Sequence, residues 1–223
     1  MKKTFVSFFS LLFIYISVSA QEKDTILFPL KIRIGADVFG PGYYIADKNT
    51  LAIEGFLSAD KDATLSYALD GGYNKFFYSQ YNYEYKCNGF FIRLGVDFNI
   101  ISPFTSKGIY FAGAGLKYGI SLYTHETPFF NYENYWGSAI GSLAKSTKLA
   151  HFIEASPGIR TELFPNFSIG WTIRLKILIS PGTGKDLKPV YIPGYGNGTK
   201  SFSPGINYYL IWNIPYKEKL IIK

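Results

Sequence analysis

From Phe167 to Ile179 the chain reads FSIGWTIRLKILI and alternates strictly. Phe167, Ile169, Trp171, Ile173, Leu175, Ile177 and Ile179 share one parity, and Ser168, Gly170, Thr172, Arg174 and Lys176 share the other. Successive side chains of a strand point to opposite faces. One face of this segment is therefore wholly apolar, while the other is small, polar and cationic. A membrane-spanning β-strand needs roughly 9–11 residues, and this stretch is long enough. It demands hydrocarbon on one side and a charge-tolerant space on the other.

The pattern recurs over residues 30–39, 51–58, 63–74, 88–99, 109–123, 148–163 and 204–216, which with 167–179 makes eight strands. With each register set by its apolar residues, the outward, lipid-facing set includes Ile92, Leu94, Val96, Trp171, Ile173, Leu175, Tyr208 and Trp212. Leu30 begins the outward row of the first strand. The charges then sort without exception to the other face. Lys31, Arg33, Asp37, Glu54, Asp70, Arg93, Asp97, Lys117, Glu154, Arg160, Glu162, Arg174 and Lys176 all lie opposite the apolar rows. A basic residue at the lipid-facing midplane costs about 2–4 kcal/mol, enough to clear that face of cations. Seven cations and six anions nearly cancel and are suited to an interior network.

Connection lengths alternate as well. Segments 59–62, 101–107 and 164–166 are short, whereas those opening near Gly40, Lys75, Thr124 and Pro181 are mostly long, with 75–87, 124–147 and 181–202 read as external loops. Short periplasmic turns and long outer loops are the pattern of a barrel in the outer membrane. Side chains just fill an eight-stranded interior, so the expectation is an all-β, closed antiparallel transmembrane barrel that is plugged. A ten-stranded variant uses Tyr78 to Tyr85 as an extra hairpin. The rival fold is a lipocalin-like carrier of a hydrophobic ligand, which inverts the faces and puts the charges in solvent.

The start of the chain reads as an export signal. Lys2 and Lys3 precede an apolar run from Phe5 to Val18, and Val18-Ser19-Ala20 offers a cleavage site. The expected organisation is a signal peptide at 1–20, a periplasmic segment at 21–29, the barrel at 30–216 and a short basic tail at 217–223. Loss of Lys2 and Lys3 lowers the formal charge from +7 to about +5, counting one unit per lysine. Basic residues are scattered singly, so nucleic acid is not an expected partner. Outer-membrane lipid is one, and another envelope protein or a glycan is a further candidate. Cys87 is the single cysteine, which permits no internal disulfide and reads as a small packed side chain.

Several blocks stand out: Tyr135-Trp136-Gly137, Pro157-Gly158-Ile159-Arg160, Trp171-Thr172-Ile173-Arg174, Gly196-Asn197-Gly198-Thr199 and the stretch from Ser203 to Tyr216. Together they resemble an uncharacterised family of small outer-membrane proteins known only as a domain of unknown function. The resemblance spans nearly the whole mature chain. It implies a barrel in the outer membrane of a Gram-negative cell and brings no catalytic residues. The chain departs from the commonest barrel ending, a terminal aromatic, because KEKLIIK follows Tyr216.

Chemistry is sparse. His125 and His151 are the only histidines, and pairing either with Ser146 or Ser121 as nucleophile would make a lipid acyl hydrolase. No motif spacing supports that arrangement, and no catalytic residue is assigned. Adjacent His125 and Glu126 point to opposite faces of a strand, so no metal site is assigned. Gly194 to Gly198 lacks the lysine and helix of a phosphate loop and reads as turn chemistry. No cofactor is expected. The candidate binding surface is external and aromatic: Tyr81, Tyr83, Phe129, Phe130, Tyr135 and Trp136. The reading is an outer-membrane barrel with a structural, envelope-assembly or surface-interaction role.

Overall fold

The computed structural model describes residues 25–183 and 188–222. The expected signal peptide lies outside the described residues. Eight long strands form one ring: β1 (Thr25–Asp37), β2 (Thr50–Asp60), β3 (Leu65–Gln80), β4 (Tyr83–Asn99), β5 (Tyr110–Asn134), β6 (Gly137–Phe164), β7 (Phe167–Ser180) and β10 (Phe202–Ile222). Two short strands, β8 (Tyr191–Ile192) and β9 (Gly196–Asn197), pair only with each other. The closed order β1-β10-β7-β6-β5-β4-β3-β2 is antiparallel throughout. It is an up-and-down barrel of eight strands. The ten-stranded variant is not found, because Tyr78 pairs with Tyr85 within the β3–β4 hairpin.

Parity decides the faces as the alternation requires. Leu94 is 58% exposed and Trp212 56% exposed, while Arg93 between the outward Ile92 and Leu94 is 1% exposed. Ile92, Ile173, Leu175 and Tyr208 are exposed on the same outer wall, and Val96 and Trp171 are half-buried there. Such a wall is stable in hydrocarbon and not in water, where a large contiguous apolar surface is costly. The charge-out, oil-in arrangement of a lipocalin is contradicted. The protein is an integral outer-membrane barrel.

Four expectations about boundaries need correction. First, the ladder does not stop at residues 30 and 216, because Thr25–Leu30 pairs with Lys217–Ile222. Second, the ladder slips between Leu30 and Lys31, and both neighbours are buried. Leu30 thus turns inward, against expectation, since a bulge breaks strict alternation. With Phe28 and Ala63 it packs an apolar seal at the periplasmic end. Third, 75–87 and 124–147 are mostly strand and not loop, extending the β3–β4 and β5–β6 hairpins outward. Fourth, the connection opening near Gly40 holds a helix, α1 (Phe39–Ala46). On the periplasmic side, a one-turn helix α2 (Pro103–Ser106) links β4 to β5. Asn166, with φ of 66°, turns β6 into β7, and asparagine tolerates that left-handed conformation.

Candidate functional site

The interior has three layers. At the outer mouth, segment 188–201 folds back into the barrel where an external loop was expected. Ile192 and Tyr195 are fully buried against Tyr85, Cys87, Tyr123 and Phe152. Tyr191 stacks on Phe76 with ring centres 4.7 Å apart, and its hydroxyl accepts a hydrogen bond from Asn74 Nδ2 at 2.6 Å. The Cys87 thiol donates to the Tyr191 carbonyl at 3.2 Å. Gly194, between β8 and β9, has φ of +74°, and a Cβ there would lie 2.4 Å from the Phe91 ring. Only glycine meets both demands. Turn chemistry is thus the role of this Gly-rich stretch.

Beneath the plug lies the ionic layer. Glu54 Oε1 receives Arg93 Nη2 at 2.5 Å, the Arg174 guanidinium, and the Tyr209 hydroxyl at 2.7 Å. Glu154 holds Arg174 Nη1 at 2.6 Å and Arg93 Nη1 at 3.1 Å. Asp70 takes Lys117 Nζ at 2.8 Å and lies 3.4 Å from Arg93 Nε. Asp97 sits 3.9 Å from Lys117 and 3.8 Å from Arg160, and the Arg160 guanidinium covers the Phe111 ring at 3.9 Å. Seven of the eight ring strands meet here through side chains that are distant in sequence. A glycine lies directly across the ladder from four of the cations, Gly119 from Arg93, Gly95 from Lys117, Gly170 from Arg160 and Gly205 from Arg174, and a Cβ at Gly95 or Gly170 would run into the facing cation's side chain.

Nearer the periplasm, Lys31 pairs with Glu162 and Arg33 with Asp60. Asp60 was missed at the sequence level because it was assigned to a turn. Its placement at the last position of β2, opposite Ser66, puts it on the inward parity. The tie of Tyr209 to Glu54 needed the closed ring to appear. Asp37 is inward and buried but joins no ion pair among the described residues. Its carboxylate accepts the N–H groups of Phe39, Gly40 and Tyr208 at 3.2, 3.0 and 3.1 Å. It anchors the start of α1, a correction to its expected place in the network. The remaining predicted members all lie in the interior.

Two small interior cavities, of about 40 and 30 Å³, flank the network. Each holds little more than a water or two. Among the described residues an apolar cluster lies at each end of the lumen, with the ion pairs between them.

The external aromatics split into two groups. Tyr83 packs on the plug cluster, its ring 6.4 Å from that of Tyr85, and Phe130 covers Gly141. These two are structural. Tyr81 at the β3–β4 tip is exposed, as are Phe129 and, at the β5–β6 tip, Tyr135 and Trp136 at 91% and 87%. Their rings form an edge-on pair 5.2 Å apart.

His151 and Ser121 lie on opposite faces of the wall. His151 faces outward and contacts the Tyr118 hydroxyl at 2.9 Å through Nδ1, while Ser121 is buried on the inner face. Ser146 lies across the β5–β6 ladder from His125. Among the described residues no group of three or more His, Cys, Asp or Glu is placed to hold a metal, and no helix is long and apolar enough to cross a membrane.

Comparison with known proteins gives a family and a fold-level likeness. A family described as Domain of unknown function (DUF6048) matches residues 1–219. Among curated proteins nothing matches. Among solved structures, Ail, the attachment invasion locus protein of Yersinia pestis, is 12% identical with a TM-score of 0.40, covering 86% of this chain and 99% of its own. Neisserial surface protein A (NspA) is 11% identical with a TM-score of 0.38, covering 87% and 100%. The barrel assignment stands on the strand ladder and the exposure pattern, not on these two likenesses.

Proposed function

The chain belongs to the DUF6048 family of unknown function, and from that premise we propose that this member is a sealed outer-membrane barrel serving surface interaction. The observation that carries this reading is the β5–β6 hairpin. Above the barrel wall, β6 has no β7 partner before His151, so residues 137–147 are paired on one side only among the described residues. A two-stranded ribbon is marginally stable alone, and a free edge is a template for another strand. This ribbon carries Tyr132, Tyr135, Trp136 and Ile140, all strongly exposed. Aromatic side chains of this kind anchor protein and sugar partners. Lys145 and Lys148 on the same strand oppose indiscriminate edge pairing. The partner class is an envelope protein or a surface glycan.

The test is the double variant Tyr135→Ser/Trp136→Ser in whole cells, matched to wild type for surface level and heat-modifiable gel mobility. Site-specific photo-crosslinking from position 140 and binding to a glycan array are then compared between the two. The proposal expects a discrete adduct or glycan signal that falls at least tenfold in the variant. Equal signals from both proteins would refute it.

A further inference from the structure

The barrel wall has a gap on one side, and a charged cavity lies behind it. β1 pairs with β2 only over Ile32–Ala36. Its pairing with β10 ends at Asp37, and the Val38 N–H bond to the Tyr208 carbonyl is its last backbone link to that strand. Beyond that point Thr50–Glu54 of β2 and Phe202–Asn207 of β10 have no strand between them. Five residues at about 3.3 Å each leave an opening roughly 16 Å tall in the outer half of the wall. Lipid does not tolerate an open sheet edge, and α1 covers this one. Gly40 is buried so closely that a Cβ there would lie 2.4 Å from the Ala52 carbonyl oxygen. Phe39 reaches Tyr208 on the other side, with ring centres 6.2 Å apart.

Behind α1 is a cavity of about 190 Å³, lined by Tyr43, Ala52 and Asn207 from the three bordering elements, with Asp37 and Lys176 inside. The inward charges, with Asp60 counted, are seven of each sign. Six of the seven cations have a carboxylate within 4.0 Å. Lys176 is the exception among the described residues. It is only 8% exposed, and its one polar contact is the Gly194 carbonyl at 3.3 Å. The anion left over, Asp37, is occupied by three backbone N–H groups. An ammonium carries three donors, and burying one incompletely paired is costly.

We propose that this cavity binds the phosphate of an outer-leaflet amphiphile at Lys176, with α1 as the door in the wall. The volume admits a phosphate and a small headgroup, not a lipid. The tails then rest outside, where Phe39, Tyr43 and Ile45 of α1 are exposed on the apolar wall. On the mouth side Ile192 and Tyr195 are fully buried in the plug, which leaves the wall as the side an amphiphile approaches. The arrangement joins a buried ammonium with no carboxylate within 4.0 Å, beside Arg93, Arg174 and Glu54 of the same lining, to a greasy doorway, and a phosphorylated lipid carries both complements.

The full-length protein in a phosphate-free maltoside detergent supplies the test, through the Tm of its heat-modifiable gel transition. The probes are dihexanoyl phosphatidic acid, dihexanoylglycerol and inorganic phosphate at equal concentrations. A saturable rise in Tm is expected with phosphatidic acid alone, retained in Lys176→Arg and weakened at least tenfold in affinity in Lys176→Met. Lys176→Gln replaces Lys176→Met if the latter fails to show folded gel mobility. No rise in wild type, or an undiminished rise in the uncharged variant, overturns the site. An equal rise with inorganic phosphate overturns the lipid source, and an equal rise with dihexanoylglycerol overturns recognition of the phosphate.

Discussion

Glu154 is the residue on which the ionic layer is most exposed to a single change. It is fully buried and holds two guanidinium groups, Arg174 at 2.6 Å and Arg93 at 3.1 Å. In Glu154→Gln the volume is kept and the charge is lost, so two arginines face an amide that offers one oxygen and two unwanted donors. Removing one partner of a buried pair typically costs about 3–5 kcal/mol. Glu54 and Asp70 also contact these arginines and absorb part of the loss. The expected destabilisation is therefore near the lower bound, about 3 kcal/mol. The assay is guanidinium unfolding of protein refolded into phospholipid vesicles, followed by the fluorescence of lipid-facing Trp171 and Trp212. Glu84→Gln is the internal control, since the Glu84–Lys86 pair at 2.8 Å joins an exposed lysine to a half-buried carboxylate at the surface and surface pairs contribute about 0–1 kcal/mol. If Glu154→Gln costs no more than Glu84→Gln, the interior ion pairs are not what stabilises the lumen, and the argument fails.

Three further outcomes follow from the same geometry. Leu94→Arg, on the outer wall, costs about 2–4 kcal/mol in the vesicle assay, whereas Leu94→Phe is nearly neutral; equal effects would place that wall away from lipid. The buried Cys87 thiol resists maleimide in the folded protein and reacts in Tyr191→Ala, where the plug loses its stack on Phe76; rapid labelling of wild type would show that the mouth is open. At the periplasmic turn, burial raises the Asp62 carboxyl pKa, but hydrogen bonds from the Thr64 N–H and hydroxyl and the Leu65 N–H, with Lys219 nearby, hold it below its ordinary value. A depressed folded-state pKa adds stability above the unfolded value of about 3.9, which is lost as pH falls through the folded one. Asp62→Asn therefore flattens the acid limb of the unfolding profile below about pH 4, and an unchanged limb counts against the turn's contribution.

The interior was largely readable from alternation because period two is a local property of the backbone. Once Ile92 and Leu94 face lipid, Arg93 has nowhere to go but inward, and the same holds for Arg174 between Ile173 and Leu175. The bulge at Leu30, the inward Asp60 and the helix at Phe39–Ala46 escaped that logic, because each sits where alternation stops. The plug escaped it too. Nothing periodic in residues 188–201 says that Ile192 and Tyr195 turn into the mouth, although their apolar character beside Gly194 is a signal in hindsight.

What the order of residues determined alone is the strands, their even number and which side chains share a face, since these depend only on parity; that the apolar face looks outward was decided by the closed ring. Which cation pairs with which carboxylate was decided by ring closure, which brings Glu54 beside Arg174 although 120 positions separate them. The same closure left Lys176 with a carbonyl in place of a carboxylate, and α1 where a wall strand runs short. Such pairings are long-range, and no local period encodes them.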